Sequence, residues 1–504
     1  MIRRLILIGS IAILAVAAIA AGGVYWFFRG DAARQALERQ ATRWLGQPVA
    51  IGSATAHLFP RPAMTLRDVR AGNPVRITLA DVQLSTGLRP LLSRRIEDAE
   101  IVVSNSRIEM PLPFTMPAAG LGSTTAAPGD GGVRIVSVRS IALRNVTLVS
   151  RRREIIVSAD SSLSSAHLNL DRFTVTSGPT SLDASGLVQL TPRLDAQLRV
   201  MANRVDVDEL IALADAFAPR TPQAQRRTAA PIALPGRIVA RVSAETARAS
   251  GVEVRQFATT LVAQGTRITL SPATFQLFGG RYSGSIDVDA EITALKATVR
   301  AQVAGVDVAQ LAAFGGVPDT VSGKLSGAGT FNGRGVTIGD ALAAAAGEGT
   351  VSITNGALRR LGLVRTVVLF FGRPAPGAGA STDNFDRIDA TFALVRQVIA
   401  ASALSLHSTD IDLVGQGTLT IPGKALDGHA DLSLSEALSA QAGTDLIRFT
   451  RDGNRVLLPA TIGGTLDAPR ISIDAGAAVR RGLRNEVERR LKDILGGLVT
   501  APPD

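Results

Sequence analysis

The chain has 504 residues, of which 46% are hydrophobic and only 4% aromatic, and it has no cysteine. That excludes a disulfide framework and any thiolate metal centre. The net charge of +11 rests almost wholly on arginine, which fits either an anionic partner surface or the codon preference of a GC-rich genome. The arginines are scattered and lack aromatic interleaving, so no nucleic-acid partner is expected.

Met1-Ile2-Arg3-Arg4 precedes an uncharged run from Leu5 to Phe28. Such a run makes about 36 Å of helix, enough to cross a ~30 Å hydrocarbon core. A secretory signal has a shorter apolar region. Ala18-Ile19-Ala20 resembles a cleavage site, yet apolar sequence continues to Tyr25-Trp26-Phe27-Phe28, a cluster suited to the membrane interface. Residues 1–28 are therefore expected to be an uncleaved transmembrane anchor, with the body exported.

Asp31 to Leu45 reads as an amphipathic helix with Leu37, Ala41, Trp44 and Leu45 on one side, ended by Gly46 and Pro48. From Val49 the pattern changes to alternation of apolar and polar residues. Arg76 to Leu84, Val133 to Ser150 and Leu182 to Val200 show it, and Ile286 to Val303 largely does, with breaks. Period two means strands with one apolar and one wet face. Ala71-Gly72-Asn73-Pro74, Gly279-Gly280 and Gly463-Gly464 read as turns.

Three stretches rich in small residues and proline, Pro111 to Gly132, Ala218 to Gly236 and Arg373 to Ser381, read as surface loops. They divide the chain into two β-rich regions, 29–220 and 235–475, followed by a helix and tail at 476–504. An echo links the two regions. Val205-Asp206-Val207-Asp208-Glu209-Leu210 returns about a hundred residues later as Val306-Asp307-Val308-Ala309-Gln310-Leu311, each time opening a short Ala-rich helix.

Few helices are available to cover the apolar faces: Val205 to Phe217, Val306 to Phe314, Ile338 to Ala346 and Leu358 to Phe370. The fold is expected to be mainly β with a few short helices. A long curled antiparallel sheet would leave an apolar groove, and the alternative is a set of closed β-sandwich or barrel modules. On the order of 25 strands is more than an open sheet carries without curling. Leu261, Phe275, Leu277, Ile286 and Val288 are the candidates for the groove lining.

Candidates for chemistry are sparse. His57, His167, His407 and His429 stand in no two-histidine metal spacing, and no nucleophile elbow or P-loop occurs. Gly327-Ala328-Gly329-Thr330-Phe331-Asn332 misses the third glycine of a dinucleotide fingerprint. Asp287 and Asp289 fall on the wet side of a strand, and Asn145-Val146-Thr147 matches a glycosylation sequon at chance frequency. No catalytic residue, metal or cofactor is expected. Near the C-terminus Val479, Leu483, Val487 and Leu491 recur at helical spacing, with Arg480 and Arg484 on other faces. This basic amphipathic helix suits either an anionic membrane surface or a cap on the sheet.

The order of several motifs resembles the AsmA family of bacterial envelope proteins. Leu45-Gly46-Gln47-Pro48-Val49-Ala50-Ile51-Gly52, then Phe59-Pro60 and Leu66-Arg67-Asp68-Val69, follow the anchor. Leu277 to Gly284 is similar to the family's glycine–tyrosine turn, Gly349 to Gly356 to its next strand, and Leu458 to Pro469 to its terminal strand pair. The resemblance implies an inner-membrane, single-pass protein with a periplasmic β-groove. It further implies binding and conduction of phospholipid toward the outer membrane, in support of outer-membrane assembly, with other envelope proteins as further partners. The alternative is a non-catalytic scaffold or regulator of that assembly.

Overall fold

The computed structural model describes residues 31–474 except 58–60, 88–94, 113–133, 218–233, 291–293, 372–382, 442–450 and a few single positions, and isolated residues beyond 474. The expected anchor at 1–28 lies outside the described residues. Among those described, no helix is long and apolar enough to cross a membrane. The chain divides into two compact units, Met1–Gly265 and Thr266–Asp504.

The first unit opens with α1 (Asp31–Leu45) and continues through β1 (Val49–His57), β2 (Ala63–Ala71), β3 (Ile77–Ser85), β4 (Arg95–Ile96), β5 (Ala99–Ser104), β6 (Arg107–Met110), β7 (Arg134–Ile135), β8 (Val138–Ser150), β9 (Arg153–Leu163), β10 (His167–Ser177), β11 (Thr180–Gln189) and β12 (Asp195–Asp206). Then come α2 (Val207–Phe217), β13 (Leu234–Ala249) and β14 (Val252–Gly265). Leu37, Ala41 and Leu45 of α1 pack on a small core of Val49, Ile51, Val69, Ala71 and Ile77. The same helix covers the outer edge of β1: Glu38 accepts from the Ile51 N–H at 2.7 Å, and Thr42 from the Val49 N–H at 3.1 Å. An edge strand left bare would recruit other strands.

The second unit contains β15 (Arg267–Leu277), β16 (Gly280–Ala290), β17 (Leu295–Asp307), α3 (Val308–Phe314), β18 (Val321–Gly335), α4 (Ile338–Ala343), β19 (Ala346–Leu358) and α5 (Leu363–Phe370). It ends with β20 (Asp383–Val395), β21 (Val398–His407), β22 (Ile411–Thr420), β23 (Ala425–Leu434), α6 (Glu436–Ser439), β24 (Arg451–Asp452), β25 (Arg455–Gly464) and β26 (Pro469–Ile473). Its main-sheet strands pair antiparallel in chain order from β15 to β23, and then through β25 to β26.

The expectation of a mainly β chain with short helices holds. Antiparallel pairing needs correction in the first unit. There β12 pairs β13 in parallel, as do β5 and β6 with β8, and β4 with β7. A parallel neighbour requires a crossover connection, and for β12 and β13 the chain between them supplies it, beginning with α2. A closed barrel is not formed in the second unit, since no hydrogen bonds join β15 to β26 among the described residues. Its later part is nonetheless curled. Arg360, just after β19, donates to the Asp467 carbonyl beyond β25 at 3.1 Å. Five strand spacings of ~4.8 Å would separate those strands in a flat sheet. Lys424 likewise donates to the Gly316 carbonyl at 2.9 Å.

The sequence echo corresponds to a repeated structure. β10, β11, β12 and α2 recur as β15, β16, β17 and α3 at an offset of about a hundred residues. Even the bulge recurs, between Leu170 and Phe173 and between Leu270 and Ala273. Asp206 accepts from the Glu209 N–H at 3.0 Å, as Asp307 does from the Ala309 N–H at 3.0 Å. The echoed Asp is therefore the N-cap of both helices, which fixes where each strand stops.

Candidate functional site

Residues opposite one another in an antiparallel ladder share a face. Across the second unit the register sets Ile286 against Val299, then Phe331, Gly347, Leu394, Ile399, Leu419 and Leu426. Two residues along lies a second row, Gly284, Ala301, Gly329, Gly349, Phe392, Ala401, Gly417 and Gly428. Ser285, Arg300, Thr330 and Glu348 form the row between them and so face the other way. One face is thus apolar without interruption over eight strands.

Glycines stand in those rows where the neighbouring strand's backbone and, at Gly329, Gly347 and Gly349, an aromatic ring as well leave little room for a Cβ. A Cβ on Gly347 would meet the Phe331 ring, and one on Gly349 would sit 2.9 Å from the Phe392 ring. Phe331 and Phe392 themselves stack at 6.3 Å. Phe275 of β15 and Tyr282 of β16 stack at 4.3 Å, and burial pushes the Tyr282 hydroxyl above its ordinary pKa. The rings pave the face where a side chain on each strand would crowd.

Helix α5 covers only part of this face. Leu363, Val367 and Val368 pack on Phe385, Leu406, Leu413, Leu432 and Leu458 in a fully buried cluster. The helix begins at Gly362, whose φ of 61° gives no side-chain cap. Asp383 of β20 caps it instead, accepting from the Leu363 N–H at 2.6 Å and the Val364 N–H at 3.2 Å. Burial raises the Asp383 carboxyl above its ordinary pKa, against the pull of those N–H groups. Away from α5, Ile286, Val288, Val299, Phe331, Val351, Phe392, Leu394 and Leu419 are only half-buried.

The opposite face is wet and ion-paired. Arg300 meets Asp287 at 3.3 Å, Arg387 meets Asp389 at 2.7 Å, and Lys324 meets Asp307 at 3.2 Å. The Arg387 hydrogen bond lowers the Asp389 pKa, and the Gln310 N–H, with Lys324, lowers that of Asp307. Exposed pairs of this kind contribute little stability. Two open hollows, of about 670 and 500 Å³, lie on this wet face among side chains such as Ser283, Gln302, Thr350 and Ser405. Much of the apolar side is a half-buried face rather than a closed core.

The first unit has its own apolar rows. Leu143, Ala159, Phe173, Ala184, Val200, Val242 and Thr259 share one, and Leu170, Gly186, Leu198, Ala240 and Leu261 another. Thr259 is buried and its hydroxyl has no hydrogen-bond partner.

All five lining candidates, Leu261, Phe275, Leu277, Ile286 and Val288, lie on the apolar side of their strands. Leu261 belongs to the first unit and the other four to the second, two each on β15 and β16. Alternation missed the paving by Phe331 and Phe392. Its signal was present, because Gly327-Ala328-Gly329 is alternating glycine on β18, where a nucleotide motif was considered. Of the residues named for the C-terminal helix only Arg480 and Val487 are described, both helical and exposed. Val479, Leu483, Arg484 and Leu491 lie outside the described residues. No group of His, Asp and Glu able to hold a metal occurs among the described residues.

An antiparallel sheet apolar on one face and wet on the other, covered in part by short helices, places the second unit among curled-sheet β proteins. Within that class the chain belongs to the AsmA family, whose family model matches residues 138–417, more than half of the sequence. The match includes the motifs at Leu277 to Gly284 and Gly349 to Gly356. Neither a curated protein nor a solved structure matches the chain.

Proposed function

We propose that the chain is a non-catalytic protein of the bacterial envelope, anchored in the inner membrane, whose periplasmic apolar trough binds phospholipid and conducts it toward the outer membrane. The observation that carries this reading is the set of half-buried apolar rows across β15–β23, continuous over many strands and covered only in part, by α4 at Gly333 and Gly335 and by α5. Acyl chains gain about 25 cal/mol for each Å² of apolar surface removed from water, with no need for directional contacts. Headgroups can stay wet at the margins. Sliding along such a face breaks no covalent bond, so it calls for no acid, base or metal.

The test is native mass spectrometry with lipid extraction on the chain from Asp31 onward, exported to the periplasm. Stoichiometric phospholipid is expected, with loss in Ile286→Asp and in Leu261→Asp while circular dichroism stays unchanged. A folded chain without lipid would end this reading and turn the search to protein partners of a scaffold.

A further inference from the structure

The wet face of the first unit carries a feature for which the trough has no use. Because β12 and β13 run parallel, the register sets Arg199 directly opposite Arg241. Ser185 of β11 stands against Arg199, and Thr260 of β14 against Arg241. The row therefore reads hydroxyl, guanidinium, guanidinium, hydroxyl across four strands. Both arginines are exposed. Among the described residues neither makes an ion pair or a side-chain hydrogen bond, whereas Arg144, Arg153 and Arg255 are each matched by a carboxylate. The nearest acid in the register, Asp183, already accepts from the Thr174 hydroxyl at 2.6 Å. Like charges opposite one another destabilise a sheet, so this pair is a standing cost in the free protein.

Large apolar side chains flank the pair on the same face. Leu187, two residues beyond Ser185, is 44% exposed, and Met201, two beyond Arg199, is 52% exposed. Inorganic phosphate would satisfy the arginines and leave Leu187 and Met201 in water. A bilayer interface supplies phosphates for the guanidinia and a glycerol–acyl boundary for the apolar pair. We infer that the face of β11–β13 around Arg199 and Arg241 docks on the surface of an anionic phospholipid bilayer. This is a surface contact on the side of the first unit opposite its own apolar rows, and it stands whether or not the trough carries lipid.

The cysteine-free sequence makes the test direct. Met201→Cys in the full chain carries an environment-sensitive fluorophore, and the protein is reconstituted into vesicles of phosphatidylcholine with increasing phosphatidylglycerol. The expected result is a blue-shifted, stronger emission as phosphatidylglycerol rises, reversed at ~1 M salt, where screening is strong. Each arginine removed, in Arg199→Ser and Arg241→Ser, should weaken the association roughly fivefold. The same label at Val414→Cys, 63% exposed on the wet face of the second unit, should not respond. Equal emission in both lipids would overturn the inference, as would a response that survives the double substitution. A response to inorganic phosphate in pure phosphatidylcholine vesicles would assign the arginines to free anions and overturn the bilayer as the partner.

Discussion

The apolar face of the second unit behaves differently at its two ends. Beneath α5, Leu432 is 1% exposed and Leu434 and Leu458 are fully buried. Toward β15 and β16 the same kind of residue on the same face is half-buried, with Ile268 40% exposed. The strand pattern does not differ, since both ends alternate. What differs is whether a helix lies on the face and whether the sheet curls around it. Arg360 and Lys424 fasten the curl by bonding the carbonyls of Asp467 and Gly316. One end is a protein core, complete in itself. The other is a surface whose apolar area is left over.

That contrast has energetic consequences that single substitutions can separate. The largest effect should come from the closed end. Leu432→Ala or Leu458→Ala removes packed atoms from a cluster with no room to collapse, and should lower unfolding stability by about 2–5 kcal/mol. Ile286→Ala at the open end should lower it by less than about 1 kcal/mol, since the side chain is already half in water. Chemical denaturation of the four proteins in parallel measures both. Equal losses at the two ends would mean that the open face is core after all.

Next in size is the aromatic paving. Phe331→Ala uncovers Gly329 and Gly347 and removes the partner of Phe392, with a cost of about 1–3 kcal/mol from lost area and ring contact. It should also leave an interrupted row for a ligand to cross. Gly347→Val in the Phe331→Ala background should not recover the loss, because its Cβ would also strike the Thr330 carbonyl oxygen, a backbone atom that the Phe331 substitution leaves in place. The same Gly347→Val in the parent chain should destabilise, because its Cβ would strike the ring.

A smaller and pH-dependent effect belongs to Asp383. Replacing it with Ala removes the side-chain cap of α5 and should cost about 1 kcal/mol. Burial raises its folded pKa above the ordinary aspartate value of 3.8. A raised folded pKa means that the folded state holds the proton more tightly. The associated stability is present below pH 3.8 and is lost as pH rises through the folded value. Subtracting the stability profile of Asp383→Asn from that of the parent should therefore leave a decline with rising pH. A flat difference would show that the N–H groups of Leu363 and Val364 fully offset the burial.

The parts of this design that were legible in the sequence follow from periodicity. Alternation placed Phe275, Leu277, Ile286 and Val288 on one side, because a strand's side chains can only alternate. The hundred-residue echo marked a real repeat, with Asp206 and Asp307 as its caps. Three features were not legible. The parallel step from β12 to β13 depends on where the crossover returns the chain, and its strands alternate like any others. Helix α5 reads as one more amphipathic segment, and its position inside a curl is settled by Arg360, Lys424 and Asp383, each distant in sequence from its partner. The open character of the trough is a relation between elements, so no single stretch records it.

The last predicted effect is as small as that of Asp383 and runs in the opposite direction. Thr259 lies in the apolar row of the first unit beside Val242, 7% exposed, with an unpartnered hydroxyl. Burying a hydroxyl without a partner costs roughly 1–3 kcal/mol. Valine has nearly the same shape and an equal preference for strands. Thr259→Val should therefore stabilise the chain by about 1 kcal/mol, whereas Thr259→Ser keeps the hydroxyl, loses a methyl and should destabilise. If the row around Thr259 admits water in solution, the hydroxyl is satisfied and Thr259→Val gains nothing. The sign of that one substitution thus reports whether the first unit's apolar face is dry like the cluster under α5 or wet like an open trough.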